Sequence, residues 1–224
     1  MNAEITIRPY QACDRQVIRE ICYRTGYLGG PADWYWRDFE SFADIWTAYY
    51  TDREPESVFV ALRSGQVIGY LLGCADTARA PGPEAAVVNQ MVRRLLLFRP
   101  GTAGFFWHSI VDLLHGTAAP AGELKDARWP AHLHIDLLPE ERGLGAGAAL
   151  MRAWFERLAA LGSPGCHLVT MAENRGAIAF FERMGFRRFG SPALVPGMRT
   201  PNGKRMHQQV MVRELVLSDH PSGG

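Results

Sequence analysis

The sequence predicts a mixed α/β fold. Three observations carry that reading: short alternating or apolar runs of strand length, longer amphipathic runs of helical period, and a glycine-rich turn at residues 139–147 that joins one kind to the other. The 224 residues are 47% hydrophobic and 21% charged, an ordinary globular composition with enough apolar material for one domain plus an insertion.

In chain order, Ile5 to Arg8 alternates and opens as a strand. Asp14 caps a helix whose apolar residues Val17, Ile18, Ile21 and Cys22 recur at helical spacing, and Gly26 to Pro31 breaks it. An aromatic-rich helix is expected from Trp34 to Tyr50. Ser57 to Leu62 and Val67 to Ala75 are strands joined by Arg63-Ser64-Gly65-Gln66, a hairpin signature. Residues 78–130 are punctuated by Pro and Gly; a helix over Val87 to Phe98 and an apolar patch over Phe105 to Leu114 make them an insertion or lid.

After Pro130 the pattern sharpens. His132 to Leu138 is a strand, Pro139-Glu140-Glu141 a polar turn, and a helix runs from the glycines to Leu161 with Leu150, Met151, Trp154, Phe155 and Leu158 on one face. His167 to Met171 is a strand, Asn174 caps a helix closed by Gly185, and Phe186 to Phe189 and Gln209 to Leu217 are the last strands, the latter after a turn at Pro201-Asn202-Gly203. Residues 1–217 read as one domain and 218–224 as a flexible tail.

Several function classes drop out. Lys+Arg number 24 against 23 Asp+Glu, so no global field draws in nucleic acid or anionic lipid. No apolar run is long enough to span a bilayer, and Met1-Asn2-Ala3-Glu4 does not lead into a secretory signal. Cys13, Cys22, Cys74 and Cys166 are scattered without metal-finger spacing and read as free thiols, so a cytoplasmic setting is expected.

The glycine turn carries the chemistry. A glycine-rich turn that opens a helix leaves convergent backbone N–H groups at the positive end of the helix dipole, a nest for phosphate oxygens, with Arg142 adding a cation at its lip. Gly143-x-Gly145-x-x-Ala148 formally meets a relaxed dinucleotide fingerprint, but the intervening four-residue turn and the short remaining chain argue against that fold. A nucleoside-triphosphate loop lacks its Gly-Lys-Ser/Thr. Glycines that merely ease a tight turn are the plain alternative.

Pro139-x-x-Arg142-Gly143-x-Gly145-x-Gly147, followed by Asn174-Arg175-Gly176-Ala177 and Phe180-Phe181-Glu182-Arg183-Met184-Gly185-Phe186, resembles the two-part acetyl-CoA signature of the GNAT superfamily. The resemblance covers residues 131–190 by motif and 5–75 by element order. Ile7 to Tyr10, Gly69 to Gly73 and Pro130 to Asp136 further resemble bacterial relatives of the acetyltransferase-like domain at the C-terminus of O-GlcNAcases, some of which are catalytically silent.

The resemblance implies the GNAT fold: a mixed, mostly antiparallel central sheet of about six to seven strands flanked by helices. It implies acetyl-CoA as cosubstrate and transfer of acetyl to an amine of a small molecule or protein. A silent acetyl-CoA-binding sensor or scaffold is the alternative. By position, Leu137, Leu138 and Pro139 would line the pantetheine arm, and the backbone of Arg142, Gly143, Leu144, Gly145, Ala146 and Gly147, with Ala148 following, would hold the pyrophosphate. Asn174, Ala177, Phe180 and Phe181 would flank the arm.

An alkylamine must lose a proton to attack. His132, His134 and Asp136 alternate on the strand entering the loop and so share a face; His134 has the pKa range of a base. A hydrogen-bonded, half-buried strand explains the same residues. The three would also be reasonable metal ligands, but the sequence displays no fourth ligand or supporting partner, so no metal is expected. Many family members carry a tyrosine where this chain has Phe181, so Tyr70 or a water is left to protonate the departing thiolate. Trp34 to Phe39, with Asp33, Asp38, Glu40 and Asp44, reads as a packed aromatic segment ahead of an amine pocket. The strand Gln209 to Leu217 could extend a sheet across a homodimer.

Overall fold

The computed structural model describes residues 4–80, 82–115 and 123–215, so the expected tail and the last two residues of the final expected strand lie outside the described residues. Seven strands and six α-helices follow in the order β1 (Ile5–Pro9), α1 (Arg15–Thr25), α2 (Phe39–Arg53), β2 (Val58–Arg63), β3 (Gln66–Cys74), α3 (Pro83–Arg93), α4 (Ala103–Leu114), β4 (Ala131–Leu137), α5 (Ala146–Ala160), β5 (Gly165–Met171), α6 (Arg175–Arg183), β6 (Arg187–Arg199) and β7 (Arg205–Glu214). The strands form one sheet in the order β1-β2-β3-β4-β5-β7-β6. Every pair is antiparallel except β4 with β5.

Strand alternation sends apolar side chains to both faces of this sheet, and each face is covered by helices. On one, Leu71, Ala131, Leu133 and Leu168 meet Leu150, Met151, Trp154 and Leu158 of α5 and Ile178 and Phe181 of α6. On the other, Val58, Val60, Tyr70 and Leu72 meet Ile18 and Ile21 of α1 and Phe42 and Ile45 of α2. The predicted apolar face of α5 is thus the buried one, and Gly162, at φ +65°, ends the helix as expected.

Three expectations need correction. The segment Trp34 to Asp38 is not helical: α2 starts at Phe39 because the Asp38 carboxylate accepts the Ser41 N–H at 2.9 Å, an N-cap that fixes the start. Asp14 stands at the head of α1 without capping it, because its carboxylate takes the Arg8 guanidinium at 2.7 Å and the Gln11 N–H at 2.8 Å. Finally, β7 is no free edge: it lies between β5 and β6, so it cannot extend a sheet across subunits, and the outer strand on that side is β6.

Within residues 78–130 the first helix comes earlier than expected, Pro83–Arg93, and Leu95, at φ +51°, turns the chain into α4. The α4 helix packs along β6, where Asp112, wholly buried, accepts the Gly197 N–H at 3.0 Å and the Arg199 guanidinium at 2.7 Å. The α3 helix packs beside α2.

Candidate active site

The site grows from one departure from regular pairing. The parallel strands β4 and β5 pair only at Ala131 with Cys166 and His132 with His167. Beyond that point β4 continues to Leu137 and β5 to Met171 without a shared ladder, so the backbone edge of Leu133 to Leu137 faces a gap. The opposite edge of β4 stays paired with β3 from Cys74–His132 to Gly69–Leu137, which keeps the strand straight while the gap opens.

Above the gap, Pro139 to Glu141 makes one tight turn, and Gly143 and Gly145 take φ of +79° and +92°, which a side chain would resist. A Cβ added at either would meet nothing within 4 Å, so both face open space. At Gly147 a Cβ would meet Phe180 Cζ at 3.1 Å and Leu137 Cδ1 at 3.3 Å. Glycine there lets α6 and the end of β4 close on the first turn of α5. The first-turn N–H groups of that helix have no preceding helical carbonyls to pair with, and no side chain caps them.

Of the predicted cofactor residues, Leu137 borders the gap, and Leu138 is tied to β3 by its N–H to the Ile68 carbonyl at 3.0 Å. Leu144 is exposed on the loop, while Ala146 is buried under it and Ala148 follows on the first turn of α5. Asn174 caps α6, its Oδ1 accepting the Ala177 N–H at 3.1 Å. Arg142 departs from the expected free cation: its guanidinium donates to the Leu137 carbonyl and, at 2.6 Å, to the Gly29 carbonyl of the α1–α2 connection. Phe181 packs into the core against Phe180 and Phe186 and carries no exchangeable proton.

His132, His134 and Asp136 do share the face opposite α5, but they split into two groups. Asp136 accepts the Tyr70 hydroxyl at 2.7 Å from its cross-strand partner on β3. Burial pushes the Asp136 carboxyl up to about 6 against the pull of that bond, and burial together with the Asp136 charge holds Tyr70 well above the ordinary phenol range. Tyr70 is therefore a protonated donor to Asp136, away from solvent.

The histidines belong to a separate cluster. His132 is hydrogen-bonded on both ring nitrogens, to the Tyr50 hydroxyl at 2.8 Å and the Thr77 hydroxyl at 2.7 Å. Burial lowers it to about 3, so it is neutral at physiological pH. His134, 24% exposed, stands edge-on to Trp46 and Tyr50 and 3.7 Å from Glu123; burial lowers its pKa as well, against the pull of the Glu123 charge. Glu123 itself is held down to about 2: burial opposes its charge, but the His167 bond at 3.1 Å and the surrounding imidazoles outweigh it. These groups line a cleft of about 580 Å³, closed on its other side by α2 and α3 through Trp46, Tyr49 and Ala86.

The aromatics ahead of α2 serve packing, as expected: Trp36 is buried against Phe106 and Tyr35 lies against Phe105. The nearby acids are neutralised, Asp38 by Arg94 and Arg99, Glu40 and Asp44 by Arg19. Sequence reasoning passed over Glu123, His167, Tyr50 and Trp46. His167 carried one usable signal, since it heads the strand expected from the sequence, and in β5 it lands beside His132.

A splayed parallel pair capped by a glycine nest at a helix N-terminus sets an open strand edge beside an anion-binding helix end. The description "Acetyltransferase (GNAT) family" matches residues 30–186, most of the chain, and the protein belongs to that family. It is thus an N-acetyltransferase by class, in a family whose cosubstrate is acetyl-CoA. The crystal structure of SsHAT is similar at 27% identity over 94% of this chain and 98% of that one, with a TM-score of 0.63. A GNAT superfamily phosphinothricin acetyltransferase from Sinorhizobium meliloti in complex with AcCoA shares the fold at 22% identity (96% and 89% covered, TM-score 0.57). So does the ribosomal-protein-S18-alanine N-acetyltransferase from Escherichia coli at 15% (99% and 100% covered, TM-score 0.54). Among the described residues no helix is long and apolar enough to cross a membrane.

Proposed function

We propose that this chain transfers acetyl from acetyl-CoA to an amine of a small molecule or a protein, taking the acceptor in the cleft between α2, α3 and the histidine face of β4. The observation that carries this reading is the gap between β4 and β5 opening onto the bare nest at Gly143 and Gly145. Bound acetyl-CoA supplies an already activated thioester. The backbone of Arg142 to Gly147 would hold its pyrophosphate, the open edge of β4 would pair with its arm where Leu137, Leu138 and Pro139 line it, and Asn174, Ala177 and Phe180 would flank it.

His134 is the base in this reading. It is neutral, partly open to the cleft, and packed edge-on to Trp46 and Tyr50, so it can take a proton from an ammonium acceptor through water. Asp136, near the middle of the working range, is the second candidate, and Tyr70 orients it. A binding-only sensor remains the second reading because Phe181 is buried and has no proton to give a departing thiolate. We further assign residues 1–217 to one domain, with α3 walling the acceptor cleft, and the kinship to O-GlcNAcase-associated relatives on the motifs given above. The four free cysteines favour a reducing, cytoplasmic setting.

Calorimetric titration of the purified chain with acetyl-CoA, beside Gly145→Glu, tests the cofactor site. The glutamate places a carboxylate in the nest. Binding by wild type and loss by a folded variant is expected, and amine-dependent thiol release then separates enzyme from sensor. A folded wild type that ignores acetyl-CoA refutes both.

A further inference from the structure

At the root of the gap, where β4 and β5 last touch, two buried histidines and a carboxylate converge on one point. His132 and His167 are direct register partners, with ring centroids 5.6 Å apart. Glu123 comes in from the segment before β4, 3.1 Å from His167 Nε2. One ligand atom from each of the three lies within 4.8 Å of the other two.

The tautomers follow from the partners. His167 Nδ1 contacts the Trp129 carbonyl at 2.8 Å; a carbonyl only accepts, so Nδ1 carries the hydrogen. That leaves the Nε2 lone pair facing the Glu123 carboxylate, an opposition that requires a positive charge between them, a proton or a metal ion. At His132, the Thr77 hydroxyl spends its proton on the Pro130 carbonyl at 2.7 Å. Thr77 must therefore accept from His132 Nδ1–H, and Nε2 is again the free nitrogen, now taking the Tyr50 hydroxyl. Both imidazoles are thus pinned through Nδ1 to an oxygen acceptor and keep Nε2 free of hydrogen, the arrangement that supports metal-ligating histidines.

We propose that Glu123, His132 and His167 bind one zinc-type divalent ion at this point, with an open position toward the cleft beneath His134. Two nitrogens and one carboxylate oxygen are a borderline ligand set suited to such an ion rather than to calcium or magnesium. The 3.1 Å between His167 and Glu123 is already close to the roughly 3.3 Å edge of a tetrahedron built on metal–ligand distances of about 2.0–2.1 Å. His132 has to exchange its Tyr50 bond for the ion and close a ligand-atom separation of at most 4.8 Å to that edge. The ion fastens β4 to β5 where their ladder ends and anchors the segment entering β4, and the cleft of about 580 Å³ gives it an entry path.

The full chain, stripped with a chelator and dialysed, is titrated with Zn²⁺ alone against a chromophoric chelator, and separately with Co²⁺ for its visible spectrum. One ion per chain and an intense tetrahedral cobalt spectrum are expected, with uptake abolished in Glu123→Gln and His167→Gln. Thr77→Val, which keeps every ligand but unpins His132, weakens binding about 10–100-fold. Circular dichroism confirms that each variant is folded, and Thr77→Val carries the test if a ligand variant is not. No stoichiometric uptake by folded wild type, an octahedral cobalt spectrum, or affinity unchanged in folded Glu123→Gln or in Thr77→Val overturns the assignment. Acetyl-CoA titration of the same samples reads the glycine nest independently.

Discussion

Asp136→Asn gives the sharpest quantitative test of the β4 electrostatics. The amide keeps the carboxyl's shape and can still accept the Tyr70 hydroxyl, so packing is conserved while the charge is removed. The wild-type carboxyl is raised from 3.8 to about 6 by burial. A raised folded-state pKa means the native state favours the protonated form: the stabilisation is complete below about pH 4 and is lost as pH rises through about 6. At about 1.4 kcal/mol per pH unit, the loss by pH 7.5 is about 3 kcal/mol, and the variant does not suffer it. Urea denaturation of both proteins between pH 4 and 7.5 measures this as a gap in unfolding free energy that widens toward high pH in the variant's favour. A gap that stays flat with pH, or widens on acidification, refutes a buried, reluctantly ionised Asp136.

Two further outcomes follow from the same geometry. His134→Asn should lower kcat/KM by about 10²-fold or more at pH 7 while leaving acetyl-CoA affinity intact, because a positioned base is worth about 10²–10⁴ and His134 lies on the acceptor side; isothermal titration beside steady-state rates separates the two, and an unchanged rate removes His134 as base. Gly73→Ala should cost about 1–3 kcal/mol in thermal or urea unfolding, since a Cβ there would lie 2.3 Å from the fully buried Trp154 ring and 2.8 Å from the Ser57 carbonyl; a neutral effect would show that α5 is free to shift.

What the sequence disclosed and what it hid divide along a physical line. The glycine nest, the Asn174 cap and the α5 face rest on local rules: a φ that only glycine tolerates, an oxygen three residues before an N–H, a period of 3.6. Such features are written within a dozen residues and were legible. The alternation of His132, His134 and Asp136 was legible in the same way, and it correctly put them on one face.

Their division was not, because it depends on partners distant in sequence. Asp136 answers to Tyr70, 66 positions away, and His132 to Tyr50 and Thr77, 82 and 55 away. Glu123 offers no periodicity at all and gains meaning only when β5 sets His167 beside His132. The helical misreading of Trp34 to Asp38 has the same root: aromatic density suggested a helix, but the loop's aromatics are paid for by packing on Phe105 and Phe106 from α4, an element that joins them only in the folded chain. The proposed cofactor side is therefore local and readable in its motif, whereas the cleft proposed for the acceptor is assembled from α2, α3, β4 and the segment at Glu123. Acceptor specificity must then be sought in those long-range contacts, and substitutions at Trp46, Tyr49 or Ala86 should change which amine is used without touching the glycine nest.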